Sequence, residues 1–389
     1  MPEVELIVHA GPHPRQNCPV RVDLPFAGKA GPRSVSLAIA AGDLIPAQIC
    51  SPPSEAPAGR LAIAFMVPGL RQGESLRLTA RFEGSALADM VAVRDDGAGS
   101  VAITTGGSLL TTYRYLGNPA RPCFLPLIGP GGKRATRSWP VSDDVPGETR
   151  DHPHHRSLWV AHGDVNGSDN WSEGEGHGFQ LHRKIIAAES GPVFGLLAAA
   201  NDWTDRDQKK ILEERRTLSA YALPGDARLF DFEVRLTATE CDVRFGDTKE
   251  GGILAMRVAP AMDGDHGGRI QNSYGAVGEG ECWGRQAQWC DYVGEIEGEK
   301  VGIAIFDHPQ SFRHPTYWHV RDYGMYTANP FGWHDFRSDP AADGSYVLAR
   351  GASLHFRYRV YLHLGSTEEA EVAARYQDYA NPPRVEVVA

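Results

Sequence analysis

The sequence predicts an all-β protein: a small N-terminal β-sandwich followed by a large antiparallel supersandwich with one C-terminal helix. Apolar and polar residues alternate in short runs, which is the period of half-buried strands. Turn residues separate these runs, and the 389-residue chain contains 43 Gly and 27 Pro. Helical periodicity is convincing only in STEEAEVAARYQDYA, residues 366–380. There Ser366 or Thr367 can act as N-cap, and glutamates occupy the first turn.

The N-terminal β-sandwich is predicted over residues 1–93. Its strands are the alternating runs VELIVHA, CPVRVDLP, SVSLAIA, RLAIAFMVP and SLRLTARFE. The segment RDDGAGS, residues 94–100, contains the turn-forming pair Asp-Gly and is predicted to be the linker. The supersandwich is predicted over residues 101–389, with longer strands such as GPVFGLLAAANDW and SLHFRYRVYLHLG. Within it, YALPGDARLFDFEV joins two β-rich runs at Pro-Gly-Asp, which predicts a hairpin.

Charge and composition limit the class of partner. The formal net charge is −10, whereas nucleic acids and anionic membranes attract basic surfaces, so neither is expected as a partner. No apolar run approaches the roughly 18 residues that span a bilayer. The opening MPEVELIVHAGPHP does not resemble a signal peptide, and we therefore expect a cytoplasmic protein. The six scattered cysteines are interpreted as free thiols. The turn GPGGK lacks the spacing of a phosphate loop, so no nucleotide is expected.

Three long segments between the strands are the candidate functional loops, because long ordered loops are usually functional. The first contains RDHPHHRSLWVAHGDVNG, residues 150–167, and six histidines lie in or near it: His152, His154, His155, His162, His177 and His182. Acid–base or substrate-binding histidines are the favoured interpretation, because imidazole titrates near neutrality. In an extended segment His152 and His154 would share a face and could hold a metal ion, while His154 and His155 would point apart. A polar structural loop is the third interpretation.

The other two segments are also polar and aromatic. Asp164, Asn166 and Asp169 resemble calcium ligands, but no Glu closes that loop, and Asx-turns explain the same residues. The second segment is RFGDTKEGGILAMRVAPAM, in which partial burial at a strand entrance would make Glu250 a general base; a solvated turn glutamate is the alternative. The third segment, residues 306–336, mixes rings with His, Arg and Asp, as sugar sites do. An aromatic minicore under a loop is the alternative.

Two resemblances follow from these motifs. DHPHHRSLWVAHGDVNG and HPTYWHVRDYGMYTANPFGWHDF together resemble the bacterial family usually labelled PmoA-like, a domain of unknown function, from about residue 121 onward. More loosely, RPCFLPLIGPGG followed by DHPHHRSLW is similar in order to the galactose-mutarotase-like supersandwich. That resemblance implies a fold shared by sugar epimerases, glycosidases and polysaccharide lyases, with histidines and a carboxylate around the sugar. The exact mutarotase motifs are missing here.

We therefore expect a carbohydrate-active lyase, hydrolase or epimerase in which the three segments meet in one pocket. Acid–base roles are assigned to His154, His155, Glu250 and His319. Substrate-binding roles are assigned to Arg156, Trp159, His162, Asp164, Asn166, Trp318, Arg321, Asp322, Tyr323 and Asn329. No cofactor is expected, and a divalent metal ion on His152 and His154 is the alternative. The expected partner is a small carbohydrate or glycoside.

Two further functions stay open. A keto-sugar lyase would act after a separate sugar oxidoreductase, because a carbonyl acidifies the neighbouring C–H bond. A His or Glu base could then eliminate a glycosidic group without a strong acid. A non-catalytic sugar-binding protein would instead lose affinity when a histidine is replaced, with no turnover to lose.

Overall fold

The computed structural model describes residues 3–25, 34–39, 42–50, 60–83, 87–117 and 120–388. Strands make up 53% of the chain and helices 7%, so the predicted all-β class with a C-terminal helix is confirmed. Within the described ranges, the six cysteines are free thiols, as predicted. No helix there has the length and apolar character needed to cross a membrane.

The strands, in chain order, are β1 (Val4–His9), β2 (Cys18–Pro25), β3 (Ser34–Ile39), β4 (Leu44–Cys50), β5 (Arg60–Val67), β6 (Ser75–Glu83), β7 (Val91–Asp95), β8 (Ser100–Thr105), β9 (Ser108–Arg114), β10 (Cys123–Leu127), β11 (Leu158–Val165), β12 (Ser168–Asn170), β13 (Phe179–Glu189), β14 (Phe194–Thr204), β15 (Lys210–Tyr221), β16 (Arg228–Thr237), β17 (Val243–Phe245), β18 (Gly251–Arg257), β19 (Arg269–Asn272), β20 (Arg285–Gln286), β21 (Trp289–Ile296), β22 (Glu299–Asp307), β23 (Tyr317–Val320), β24 (Met325–Asn329), β25 (Tyr346–Leu348), β26 (Ser353–Leu364) and β27 (Arg384–Val388). The helices are α1 (Glu279–Cys282), α2 (Trp333–Phe336) and α3 (Val372–Ala380). Short 3-10 turns occupy Pro130–Gly132, Pro260–Met262 and Gly264–His266.

The N-terminal sheet has seven strands in the order β2-β5-β4-β3-β6-β1-β27. Alternate residues of its strands, among them Leu6, Leu37 and Phe65, form one hydrophobic core. The last strand, β27, returns from the C-terminal end of the chain and pairs with β1, with Val387 opposite Leu6. The N-terminal unit therefore includes a segment that the sequence assigned to the second domain.

The predicted boundary after residue 93 and the predicted linker at 94–100 differ from the structure. Strand β7 pairs with β8 in the second sheet, so residues 94–100 close a hairpin instead of joining two domains. Asp96 stabilises this turn, because its Oδ1 accepts from the backbone N–H groups of Ala98 and Ser100. An Asp-Gly pair suits a hairpin turn as well as a linker, and only the pairing of β7 distinguishes them.

The large unit is a sandwich of two antiparallel sheets. One has twelve strands, with the path β20-β23-β24-β18-β11-β10-β9-β8-β7 and β12, β17 and β25 beside it. The other has eight, in the order β13-β14-β15-β16-β26-β22-β21-β19. The hairpin predicted at Pro-Gly-Asp joins β15 to β16. Buried side chains of both sheets, such as Leu254 and Phe232, form one core between them.

Each sheet has a second, outer face. On the twelve-stranded sheet, Trp159, Ala255 and Met325 belong to a separate small cluster on that face. On the eight-stranded sheet, α3 covers the outer face, with the ring of Tyr376 5.8 Å from that of Phe306. The two outer faces lie on opposite sides of the sandwich core.

Helix α3 begins at Val372, four or five residues later than an N-cap at Thr367 or Ser366 predicts. Residues 366–371 instead form turns, closed by reciprocal bonds of Ser366 N to Glu369 Oε2 at 2.8 Å and Glu369 N to Ser366 Oγ at 3.2 Å. This is the capping-box pattern. The left-handed φ of 51° at Glu371 separates it from the helix.

The pairing of β27 with β1 predicts a specific stability effect. Val387 packs against the N-terminal core, so Val387→Asp should lower the free energy of unfolding by about 1–3 kcal/mol. Glu386 is exposed in the same strand, and Glu386→Gln should change it by no more than about 0.5 kcal/mol. Urea unfolding of both variants checks this, and equal effects would contradict the pairing.

Candidate functional site

Three histidines of the first segment converge on the outer face of the twelve-stranded sheet. His152 stacks on His155, with ring centroids 4.7 Å apart and an interplanar angle of 8°. His154 stands edge-on to both, at 4.6 Å from His155 and 5.9 Å from His152. We call His152, His154 and His155 the histidine cluster.

The cluster forms because the segment turns. The backbone N–H of His155 donates to the carbonyl of His152 at 3.0 Å, and Pro153 occupies the position of this turn that favours proline. His152 itself has a φ of 44°, a left-handed conformation that costs about 1–3 kcal/mol unless its surroundings fix it. The prediction that His154 and His155 point to opposite faces of an extended segment is therefore wrong.

Aromatic side chains surround the histidine cluster. The ring of His155 stacks on Trp159 of β11 at 5.3 Å, and His152 stacks on Tyr323 at 4.9 Å and 7°. Trp171 meets His155 edge-on at 5.8 Å. Trp159 and Trp171 are buried, whereas Tyr323 is half-buried. The first and third segments of the chain thus meet at this point.

Arg257, at the end of β18, orders the cluster. One of its nitrogens, Nη2, donates to both carboxylate oxygens of Asp151 at 2.9 Å, and Nη1 lies 3.2 Å from Nδ1 of His155. The guanidinium also lies 4.7 Å from the Tyr323 ring centroid. Because a guanidinium can only donate, Nδ1 of His155 must accept, and the proton of this ring is on Nε2.

The His155 ring is neutral at pH 7. Burial lowers the pKa of His155 well below its ordinary value, and the neighbouring His154 and Arg257 lower it further. His155 is therefore a hydrogen-bond donor through Nε2–H, and no described residue accepts from it.

Asp151 and His152 form an acid–base pair. Oδ2 of Asp151 is 2.7 Å from Nδ1 of His152, and Arg137 also pairs with this carboxylate. Burial raises the pKa of Asp151, but Arg257, His152 and Arg137 outweigh it and bring the pKa to about 2. The carboxylate thus accepts Nδ1–H of His152, and in the neutral form of this ring the lone pair is on Nε2. The His152 side chain is 41% exposed, so a ligand can reach it.

His154 completes the cluster and makes no hydrogen bond to a described residue. Burial, with Arg121 and His152, lowers the pKa of His154 to about 4. Its ring is only half-buried, so both nitrogens of this neutral imidazole are available to a ligand.

Arg156 and Arg121 hold a second carboxylate beside the cluster. Nε of Arg156 donates to Oε1 of Glu173 at 2.6 Å, and Nη2 contacts the other oxygen. Arg121 lies 3.4 Å from the same carboxylate and donates to the carbonyl of Trp171. Burial raises the pKa of Glu173, but Arg156 and Arg121 bring it below its ordinary value. Both carboxylates at the cluster are therefore anions held by arginines.

His319 and Glu250 lie outside the histidine cluster. His319 is buried beside Trp283, and its Nδ1 donates to the carbonyl of Lys249 at 2.8 Å. Glu250 has an exposed side chain, 48% accessible, 3.9 Å from Nζ of Lys249. Its backbone carbonyl accepts from Gly163 of β11 at 2.7 Å. The three segments are neighbours in the fold, but only the first and third contribute rings to the cluster.

Four residues predicted to bind substrate are fully buried. Trp159 stacks on His155, and the other three hold structure away from the cluster. Trp318 faces the sandwich core and donates to the carbonyl of Ala287. His162 packs on Phe331, with Nε2 3.0 Å from the carbonyl of Gly246. Asn329 donates to two loop carbonyls, at 3.0 and 3.1 Å. Their burial leaves no surface for a ligand, so these three predictions are wrong.

Asp164 and Asn166 shape the turn between β11 and β12. Oδ1 of Asp164 accepts from Gly167 N at 2.9 Å, and Oδ2 pairs with Arg244. Asn166 has a φ of 53°, and its Oδ1 accepts from the Arg244 backbone at 2.7 Å. These are the turn contacts that the alternative interpretation predicts.

Arg321 and Asp322 precede Tyr323 but contact a different carboxylate. Arg321 donates to Oε1 of Glu279 at 2.6 Å, and the backbone N–H of Asp322 donates to Oε2 at 2.7 Å. The Arg321 guanidinium lies 5.0 Å from the Trp283 ring centroid. Both residues therefore fix the loop that carries Tyr323.

In the described part of the chain, no group of three or more His, Cys, Asp or Glu side chains is arranged to hold a metal ion. His152 and His154, the predicted pair, stand edge to face, and Asp151 occupies Nδ1 of His152.

Sequence reasoning missed Asp151, Arg257, Arg137 and Glu173. Asp151 stands directly before His152 in DHPHH, which is a usable signal. Arg257 interrupts the apolar run ILAMRVA, and a lone charge in a buried strand also indicates a buried partner.

A model of a family of unknown function, DUF6807, matches residues 100–377. The chain belongs to the DUF6807 family. The predicted PmoA-like membership is wrong, since no PmoA-like family model matches. The match covers the sandwich from β8 onward, including the histidine cluster and most of α3.

No curated protein matches the chain. Among solved structures, a protein in the glycosyl hydrolase family 38 from Enterococcus faecalis is similar at 11% identity and a TM-score of 0.45. The alignment covers 100% of this chain and 47% of that one, so the chain spans about half the length of this relative. A similarity this distant carries no information about the chemistry of the site.

The lowered histidine pKa values of this DUF6807 protein predict acid sensitivity. Burial lowers the pKa of His162 to about 4 and that of His319 to about 3. Below about pH 6.5 the unfolded chain binds protons that the folded chain does not, so the free energy of unfolding should fall between about pH 6.5 and 4. Urea unfolding across this range checks the slope. His162→Gln should make this slope shallower, and the control His9→Gln, whose side chain is only half-buried, should not. Equal slopes in both variants would contradict the assignment.

Proposed function

We propose that the histidine cluster is an active site for proton transfer on a carbohydrate, with His152 as base. The observation that carries this proposal is the Asp151–His152 pair beside a neutral His155 whose Nδ1 is occupied by Arg257. A carboxylate on Nδ1 directs the Nε2 lone pair of His152 outward, which is the arrangement of a general base.

His155 would act as the partner of this base. A neutral imidazole can donate a hydrogen bond to an oxygen on which negative charge develops. The carbonyl of a keto-sugar is such an oxygen. In the proposed step, Nε2 of His152 takes the proton from the carbon beside the carbonyl. The C–H electron pair forms a C=C bond, and the carbonyl oxygen becomes an enolate that accepts Nε2–H of His155.

The fate of the enolate distinguishes two outcomes. Protonation of the carbon on its opposite face by a water molecule gives epimerisation, and His152 then releases its proton to the resulting hydroxide. In elimination, the enolate re-forms the carbonyl, and the electron pair of its C=C bond forms a new double bond between the α- and β-carbons. The bond from the β-carbon to the glycosidic oxygen breaks, and the leaving oxygen takes the proton from His152. The substrate would come from a sugar oxidoreductase, because a keto-sugar forms by oxidation of a hydroxyl group.

Hydrolysis by two carboxylates has less support. Glycosidases of that type need a protonated carboxylic acid and a second free carboxylate. Here Asp151 is held by Arg137 and Arg257, and Glu173 is held by Arg156 and Arg121. Neither carboxyl group is set to carry a proton at neutral pH.

The surroundings of the cluster support a sugar as the ligand. Tyr323 and His152 have partly exposed side chains, and aromatic rings can pack against the C–H groups of a pyranose. His154 offers polar atoms for hydroxyl groups. This combination of a few polar groups with aromatic faces is typical of carbohydrate sites.

Deuterium exchange tests the proton transfer. With a panel of keto-glycosides in D2O, NMR should show exchange at the carbon beside the carbonyl, with aglycone release if the reaction is elimination. His152→Ala should slow exchange by about 10²–10⁴-fold, whereas His177→Ala, in the same segment but outside the cluster, should not. Absence of exchange with every keto-glycoside would reject the proposal. Saturable sugar binding without exchange, weakened in His152→Ala, would indicate a binding protein.

The tautomer of His155 gives an independent test that needs no substrate. Long-range ¹H–¹⁵N NMR at pH 7 should show a neutral ring protonated on Nε2, because Arg257 donates to Nδ1. In Arg257→Met the preference of His155 for the Nε2–H tautomer should weaken, while the ring signals of His177 should not change. A protonated imidazolium for His155 in the wild-type protein would be incompatible with its role as a neutral donor.

A further inference from the structure

We propose that a second site, on the opposite side of the sandwich from the histidine cluster, binds a small organic anion. It is a cleft of about 70 Å³ between the N-terminal sheet, the β15–β16 hairpin and α3. Clefts where separate units of a chain meet are common ligand sites. The inference does not rest on the proposed function, because no residue is shared between the two sites.

Arg359 of β26 forms one wall of the cavity and is 95% buried. Its Nε and Nη2 donate to the two oxygens of Asp231 at 2.6 and 3.0 Å. The rings of Tyr379 and Tyr221 lie 4.5 and 5.6 Å from its guanidinium. The remaining nitrogen, Nη1, makes no hydrogen bond to a described residue. A rigidly held guanidinium with a donor to spare is suited to an anion.

Helix α3 contributes the other charges. Nη1 of Arg375 lies 3.1 Å from Oδ2 of Asp378, and Arg15 lies 3.4 Å from Oδ1 of the same carboxylate. Arg375 also donates to the backbone carbonyl of Gln16, which ties the helix to the N-terminal unit. Nε of Arg375 is buried without a hydrogen-bond partner.

Among the described residues, these contacts leave one positive charge in excess. Three guanidinium groups, those of Arg15, Arg359 and Arg375, face two carboxylates, those of Asp231 and Asp378. Burying an uncompensated charge is unfavourable. An anion in the cavity would remove the excess and would accept hydrogen bonds from Arg359 and Arg375.

The rest of the lining is apolar and comes from Pro19, Leu223 and Leu229. A ligand that matches both the arginine side chains and this apolar lining has an apolar body and one anionic group. That group is either a carboxylate or a phosphate monoester. Because such a ligand contacts three parts of the chain at once, it should stabilise their junction against unfolding.

Calorimetric titration with four probes tests the site. Sodium benzoate and phenyl phosphate carry an apolar ring and differ in the anionic group, inorganic phosphate lacks the ring, and benzyl alcohol lacks the charge. We expect one equivalent of benzoate or phenyl phosphate to bind, more tightly than inorganic phosphate, and benzyl alcohol not to bind. The better of the two ring-bearing anions identifies the anionic group. Failure of both to bind, or equal binding of benzyl alcohol, would overturn the proposal.

Two variants place the binding in this cavity. Arg375→Gln removes the excess charge and should weaken binding by about tenfold or more. Ala227 lines the cavity beside the hairpin tip, and Ala227→Phe should block it without changing charge. The control Arg183→Gln removes a half-exposed arginine on β13 and should leave binding unchanged, as should His152→Ala. Wild-type binding by both Arg375→Gln and Ala227→Phe would overturn the assignment even if an anion binds elsewhere.

Discussion

The contact between Arg257 and Asp151 is the interaction on which the candidate active site depends. The Arg257 side chain is 2% exposed, so its charge needs a partner inside the protein. Removing Asp151 would leave the buried charge of Arg257 without this partner, which is unfavourable. The same guanidinium fixes the tautomer of His155, and the same carboxylate fixes that of His152. One ion pair thereby connects β18 to the turn before β11 and determines which nitrogens of two histidines carry protons.

The sheet allows this arrangement because small residues bring its segments close together. A Cβ atom on Gly163 would lie 2.7 Å from the carbonyl oxygen of Glu250, so only glycine permits the contact between β11 and the second segment. Likewise, a Cβ atom on Gly252 would lie 2.9 Å from that of Thr327. Close approach keeps β11, β18 and β24 in register. Trp159 lies in β11, Arg257 ends β18, and Tyr323 lies in the turn directly before β24. Backbone packing is therefore part of how the site is built.

Local patterns predicted much of the fold and only the local part of the site. The alternation of apolar and polar residues located the strands, and the turn residues located the hairpin between β15 and β16. Both signals lie within about ten residues of sequence. The return of β27 to β1 and the pairing of Arg257 with Asp151, 106 residues apart, could not be predicted, because register between distant strands leaves no local pattern. Trp318 was assigned to the ligand site for a related reason. Alternate residues of β23 face the core, and the set that does so is known only once the pairing of β23 with its neighbouring strands is known.

The electrostatics of the site restrict its chemistry. His154 and His155 lie among arginines and are partly or fully buried, and both effects lower the pKa of each ring. Neutral imidazoles can polarise an oxygen, but they are poor proton donors to an ordinary glycosidic oxygen. A substrate suited to such a site must supply its own acidity, and a carbonyl next to the reacting C–H bond does so. In the proposed function, the keto group is therefore the feature of the sugar that the histidine cluster selects, and an unoxidised glycoside would bind without reacting.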